Sequence, residues 1–120
     1  MTTTFTVTSA PAERRTIRVA VAGQLDAHTA SDLETALHQI IAGGDVRLVV
    51  DFTSLDYISS AGLGVFMVFI EQVRTAGGDI KLAAMQPKVH MVFDLLGFHV
   101  LFEIYPSVDE AVRAFPEVAS

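Results

Sequence analysis

Two adjacent hydroxyls, Ser59 and Ser60, stand in the most unusual stretch of the chain, Asp51-Phe-Thr-Ser-Leu-Asp-Tyr-Ile-Ser-Ser-Ala-Gly-Leu-Gly64. This stretch joins an apolar strand to a helix, so the serines fall at a helix start. The first backbone N–H groups of a helix lack intrahelical partners, and the macrodipole there is positive. Such a place accepts an anion. Gly62 and Gly64 keep the first turn free of bulk, so another molecule could approach the backbone closely. Ser60 could instead do no more than cap the helix, a contribution of about 1 kcal/mol.

Other chemistries fit the residues poorly. A nucleophile elbow needs G-x-S-x-G, and Ser60 follows Ile58-Ser59 with no first glycine. His28, His38, His90 and His99 are scattered, and a triad of His28, Asp26 and Ser60 would be cramped. No histidine or carboxylate group has metal-ligand spacing. No G-x-x-x-x-G-K-[ST] loop is present to hold a nucleotide. With 0 cysteines there is neither a disulfide nor a thiolate. The chain is therefore read as a non-enzyme with no cofactor and no metal.

The elements that must position the serines follow from patterning. Phe5–Ser9 and Ile17–Val21 alternate as two strands of a hairpin around a polar turn at Pro11–Arg15. A loop, Gly23–Asp26, leads to an amphipathic helix from about Thr29, with Leu33, Leu37, Ile40 and Ile41 on one face. Thr29 and Asp32 resemble a weak capping box, and Gly43-Gly44 stops the helix. Val46–Val50 is a buried strand ending at Asp51, and a polar loop is expected from Phe52 to Ser60. A second helix follows to Ala76. Ile80–Ala83 is a fourth strand, Pro87–Gly97 a short helix and Val100–Ile104 a fifth strand. Ser107, with Glu110 in the capping-box position, opens a last helix through Phe115. Residues 116–120 read as a frayed tail.

The order β-β-α-β-α-β-α-β-α implies mainly parallel pairing with right-handed crossovers. The expected fold is thus α/β: a mixed sheet with about four helices, mostly on one side, in one domain spanning 1–120 with its core at about 5–115. The chain has 120 residues, enough for one domain with a real core. Hydrophobic residues are 51% and charged residues 18%, which excludes disorder. The net charge of −6 argues against nucleic acid and against an anionic membrane surface. No signal peptide or bilayer-length apolar run is read, so a cytoplasmic location is expected. Mean hydropathy is +0.45, which suggests apolar surface reserved for a partner.

The second helix sharpens that point. Leu63, Phe66, Met67, Ile70 and Val73 lie on one face; Val65, Val68, Phe69 and Gln72 lie on the other. Between Ala61 and Ile70 there is no charge. Either both faces are buried within the domain or the outer face meets a partner.

Gly23-Gln24-Leu25-Asp26-Ala27-His28-Thr29-Ala30 and Asp51 to Gly64 together resemble the STAS domain of bacterial anti-sigma factor antagonists. The first is similar to the family's G-x-L-D-x-x-T/N-A segment. The second is similar to its hydrophobic strand and D/S-S-x-G-L loop. Pro87 to Gly97 is similar to its third-helix segment, and the likeness spans Phe5 to Phe115.

The resemblance implies a phosphorylation switch. The unphosphorylated antagonist would bind an anti-sigma factor that is also a serine kinase of the histidine-kinase-like ATPase type, and so release a sigma factor. The kinase would then phosphorylate one serine, and a serine phosphatase would reset it. The acceptor is the second residue before Gly62-Leu63, which is Ser60; Ser59 is the second choice. Many relatives have Asp where Ser59 stands. Asp26, Thr29, Ser59, Gly62, Leu63, Val65, Val68 and Phe69 would line the partner face. Two other readings stay open: an accessory subunit of a transporter, and a partner switch whose output is not transcriptional. A weak homodimer through the apolar helix is the remaining partner expected.

Overall fold

The computed structural model describes residues 5–117. Met1–Thr4, read above as lacking a signal peptide, and the last three residues of the expected tail lie outside them. Five strands form one sheet in the order β1-β2-β3-β4-β5: Thr6–Ala12, Thr16–Leu25, Arg47–Ile58, Asp79–Ala83 and Ile104–Tyr105. β1 pairs antiparallel with β2, and every other pair is parallel. The helices are α1 (Ala30–Ala42), α2 (Ser60–Thr75), α3 (Pro87–Leu95) and α4 (Val108–Arg113). The α/β expectation with a mixed, mainly parallel sheet holds.

Helices α1, α2 and α3 cover one face of the sheet. Val19, Val21, Leu48, Val50, Ile80 and Leu82 from the strands meet Leu33, Leu37, Phe66, Val73, Val89 and Phe93 there. Phe52 anchors this core, with ring centroids 5.8 Å from Phe66 and 5.9 Å from Phe93. The alternate strand residues Val49 and Ala83 face α4 through Ala111, Val112 and Phe115. Buried on both faces, the centre of β3 reads as an unbroken apolar run.

Four local expectations are corrected. β1 continues to Ala12, so the turn shrinks to a 3-10 turn at Glu13–Arg15. β2 runs on through Gly23 to Leu25, because β3 continues to supply partners as far as Ile58 opposite Leu25. The loop expected from Phe52 to Ser60 is strand as far as Ile58. Two register irregularities opposite Ala20–Ala22 and Gly23–Gln24 give β3 extra residues and break its alternation, which is how a bulged strand imitates a loop. The fifth strand is only Ile104–Tyr105. The apolar run before it begins as a 3-10 turn, Phe98–Val100, entered through Gly97 at φ 77°. Of Val100, Leu101 and Phe102, only Phe102 is buried.

Candidate functional site

The site grows from the shared end of β2 and β3. These parallel neighbours finish in register, Leu25 opposite Ile58. The residues that follow, Asp26 and Ser59, therefore leave the sheet side by side, at the strand ends where open α/β sheets place ligands. The Ser59 N–H donates to the Leu25 carbonyl at 2.9 Å. Gly62 then passes over Leu25 so closely that a methyl group on it would sit 2.6 Å from Leu25 Cγ and 3.1 Å from its carbonyl oxygen. The expectation that Gly62 leaves room for a second molecule is corrected: its missing side chain admits the chain's own Leu25. Gly64 does face open space, with nothing within 4 Å of an added Cβ.

The two serines are unequal. Ser59 is the N-cap of α2, with extended backbone (φ −107°, ψ 173°), and its carbonyl accepts from the Leu63 N–H at 3.1 Å. Its Oγ makes no capping bond, is buried and has no hydrogen-bond partner among the described residues. Ser60 is the first residue of the helix and is exposed. The capping position considered for Ser60 thus belongs to Ser59. A group on Ser60 would lie beside the unpaired N–H groups of the first turn.

Asp26 and Thr29 build the adjoining turn. Asp26 Oδ1 accepts from the His28 N–H at 2.9 Å and the Thr29 N–H at 3.2 Å. Thr29 Oγ1 accepts from the Asp26 N–H at 3.0 Å and donates to the Gln24 carbonyl at 2.8 Å. The Asp26 carbonyl accepts from the Ala30 N–H at 2.9 Å, which starts α1. The capping box expected of Thr29 and Asp32 does not form, because the Thr29 hydroxyl is spent on this turn. Asp26 is only partly buried.

The outer face of α2 is narrower than expected. Leu63, Val65 and Phe69 are buried at 0%, 5% and 4% exposure, inside the domain's own core. Their expected place on a partner surface is corrected: the helix lies deep enough between α1 and the sheet for most of its circumference to be covered. Val68 (61% exposed) and Met67 (39%) are the large apolar side chains of α2 that reach solvent. Patterning also missed Leu25, which holds both Ser59 and Gly62; the G-x-L-D segment was its only signal.

The charged feature of β3 lies on the opposite face. Asp51 is buried against the α4 side, where Arg18 Nε and Nη2 donate to its Oδ2 at 3.0 and 2.5 Å. Burial raises the Asp51 pKa, but hydrogen bonds from Thr53 and Arg18 outweigh it and leave the carboxyl below its ordinary value. This pair is remote from Ser60 and is structural. Among the described residues no group of three His, Asp or Glu is placed to hold a metal ion, and no helix is long and apolar enough to cross a membrane.

Known proteins share both sequence and fold with this chain. The STAS domain family matches residues 9–111. BtrV of Bordetella bronchiseptica, provisionally named an anti-sigma factor antagonist, is 37% identical over 93 residues, covering 78% of this chain and 80% of BtrV. The anti-sigma-B factor antagonist of Bacillus subtilis is 32% identical over 98 residues, 81% of this chain and 88% of that protein. Among solved structures, an anti-sigma factor antagonist from Mycobacterium paratuberculosis superposes with TM-score 0.84 at 26% identity, over 92% of this chain and 93% of its own. Unphosphorylated SpoIIAA, at 20% identity, shares the fold with TM-score 0.77 over 93% of this chain and 100% of its own. Because the match over residues 9–111 takes in β2 to β5, α1 to α3 and the Ser59–Gly64 helix start, the chain belongs to the STAS-domain family.

Proposed function

We propose that this protein is an anti-sigma factor antagonist worked by phosphorylation of Ser60. In the unphosphorylated form it binds an anti-sigma factor that is also a serine kinase of the histidine-kinase-like ATPase type, and a sigma factor is set free. Phosphorylated Ser60 ends that binding, and a serine phosphatase restores it. The protein acts in the cytoplasm as substrate and ligand rather than as enzyme.

The observation that carries this reading is the contrast between the serines: the Ser60 side is exposed at the first residue of α2, while Ser59 Oγ is buried. A kinase can reach only the first. Phosphate adds about −1.5 to −2 charges and three acceptor oxygens. At this helix start the protein itself tolerates the charge. A partner resting on Val68 and the Asp26 turn would meet desolvation and repulsion. The names of the relatives support the antagonist role, and SpoIIAA, which has this fold, is known in a phosphorylated form.

The test is a pull-down from native cells with wild type and Ser60→Asp as baits. Recovery of a histidine-kinase-like ATPase by wild type and its loss with the aspartate is expected. Membrane transporter subunits recovered equally by both baits would replace this reading with the accessory-subunit one.

A further inference from the structure

The second irregularity of β3 decides where Tyr57 goes. Leu55 pairs with Gly23, Tyr57 with Gln24 and Ile58 with Leu25, so Asp56 is an extra residue without a partner on β2. Residues two apart in a regular strand share a face. Without the extra residue, Tyr57 would follow Leu55 into the core opposite Leu25, and Ile58 would turn outward. With it, Leu55 and Ile58 are both buried, and Tyr57 is 50% exposed. On the other face of the sheet, α4 packs on Val49 and Ala83 and leaves Tyr57 in solvent. Bulges that re-aim a side chain in this way gather beside functional sites.

We infer that Tyr57 is a binding anchor for the kinase that phosphorylates Ser60. This rests on the switch proposed above and adds a residue to it. Tyr57 stands three residues before Ser60, at most about 11 Å of extended chain. A specific interface covers about 800 Å² of each protein, a disc of about 16 Å radius. A kinase seated over Ser60 therefore covers Tyr57 as well.

The neighbours of Ser60 are poorer anchors. Leu63, Val65 and Phe69 are buried, and Asp26 and Thr29 are bonded to each other within their turn. Val68 and Met67 reach solvent on the helix side of Ser60, and Tyr57 does so on the strand side. Binding energy concentrates in a few interface residues, and tyrosine is among the commonest of them. Its ring offers a large amphipathic surface with few rotatable bonds to immobilise.

The test uses an extract of native cells lacking this protein, supplied with ATP and with the purified full chain at rising concentration. Phosphate on Ser60 is followed by mass spectrometry, which gives KM and the plateau rate for wild type, Tyr57→Phe and Tyr57→Thr. Threonine keeps the strand preference and removes the ring. Tyr57→Thr raises KM about tenfold or more, while its plateau rate and thermal transition stay those of wild type, as loss of uniform binding requires. Tyr57→Phe keeps KM within about threefold of wild type, since the ring is retained. An unchanged KM in Tyr57→Thr overturns the inference. So does a lower plateau rate at unchanged KM, which would mean that Tyr57 only shapes the strand end holding Ser60. So does a Tyr57→Phe variant as weak as Tyr57→Thr. Should Tyr57→Thr melt early, Tyr57→Lys takes its place and the same outcomes decide. Wild type that gains no phosphate on Ser60 overturns the switch and this inference together. A phosphorylated wild type with an indifferent Tyr57→Thr overturns the inference alone.

Discussion

The Ser59 N–H donates to the Leu25 carbonyl at 2.9 Å, and that bond ties the start of α2 to the end of β2. Because Leu25 and Ile58 are register partners, the tie brings the Asp26 turn and the Ser60 helix start together as one unit. The proposed switch depends on this unit being rigid before any partner arrives.

The two glycines of the first helical turn should respond in opposite ways. Gly62→Ala drives a methyl group into Leu25 and costs about 1–3 kcal/mol of overpacking. Gly64→Ala meets open space and gains up to about 1 kcal/mol of helix propensity. Urea denaturation of both variants checks the pair; equal midpoints would mean that Leu25 yields freely.

Ser59 and Ser107 are both N-caps, but only Ser107 makes the capping bond, accepting from the Glu110 N–H at 3.2 Å. Ser107→Ala should cost about 1 kcal/mol. Ser59→Ala removes a buried hydroxyl with no partner among the described residues and should be neutral or stabilising. Thermal melts of the two alanine variants distinguish them.

The sequence carried the identity of these residues better than their surroundings. The helix starts at Pro87 and Ser107 were legible because a proline and a capping box are local signals. The length of β3 was not, since its bulges disrupt the alternation that marks a strand. Val65 and Phe69 were placed outside because periodicity counts faces without knowing how deeply a helix is set; only tertiary packing shows that both are covered. Gly62 was read as an opening for a ligand because its neighbour in space, Leu25, is 37 residues away in the chain.

Position on α2 should separate binding from folding. Val68→Asp, at an exposed site, should leave the melting transition within about 0.5 kcal/mol of wild type while abolishing capture of the kinase partner. Val65→Asp buries an unpaired charge and should unfold the domain or nearly so. Calorimetry paired with the pull-down reads both.

Asp51 sets an acid limit to stability. Its folded pKa lies below the ordinary 3.8, so its ionised form is favoured by folding. That contribution is present above the unfolded value and is lost as pH falls below it through the depressed folded one. Wild-type urea midpoints should therefore fall steeply below about pH 4. Asp51→Asn should begin less stable at neutral pH and lose less over the same acid range. Parallel curves for the two proteins would show that the Arg18–Asp51 pair does not drive the acid limb.

The most direct measurement is the site of phosphate on protein isolated from native cells, mapped by fragmentation mass spectrometry in wild type, Ser59→Ala and Ser60→Ala. The account predicts phosphate on Ser60 in the first two and none on this helix start in the third. Phosphate on Ser59, or phosphate retained there in Ser60→Ala, would contradict it.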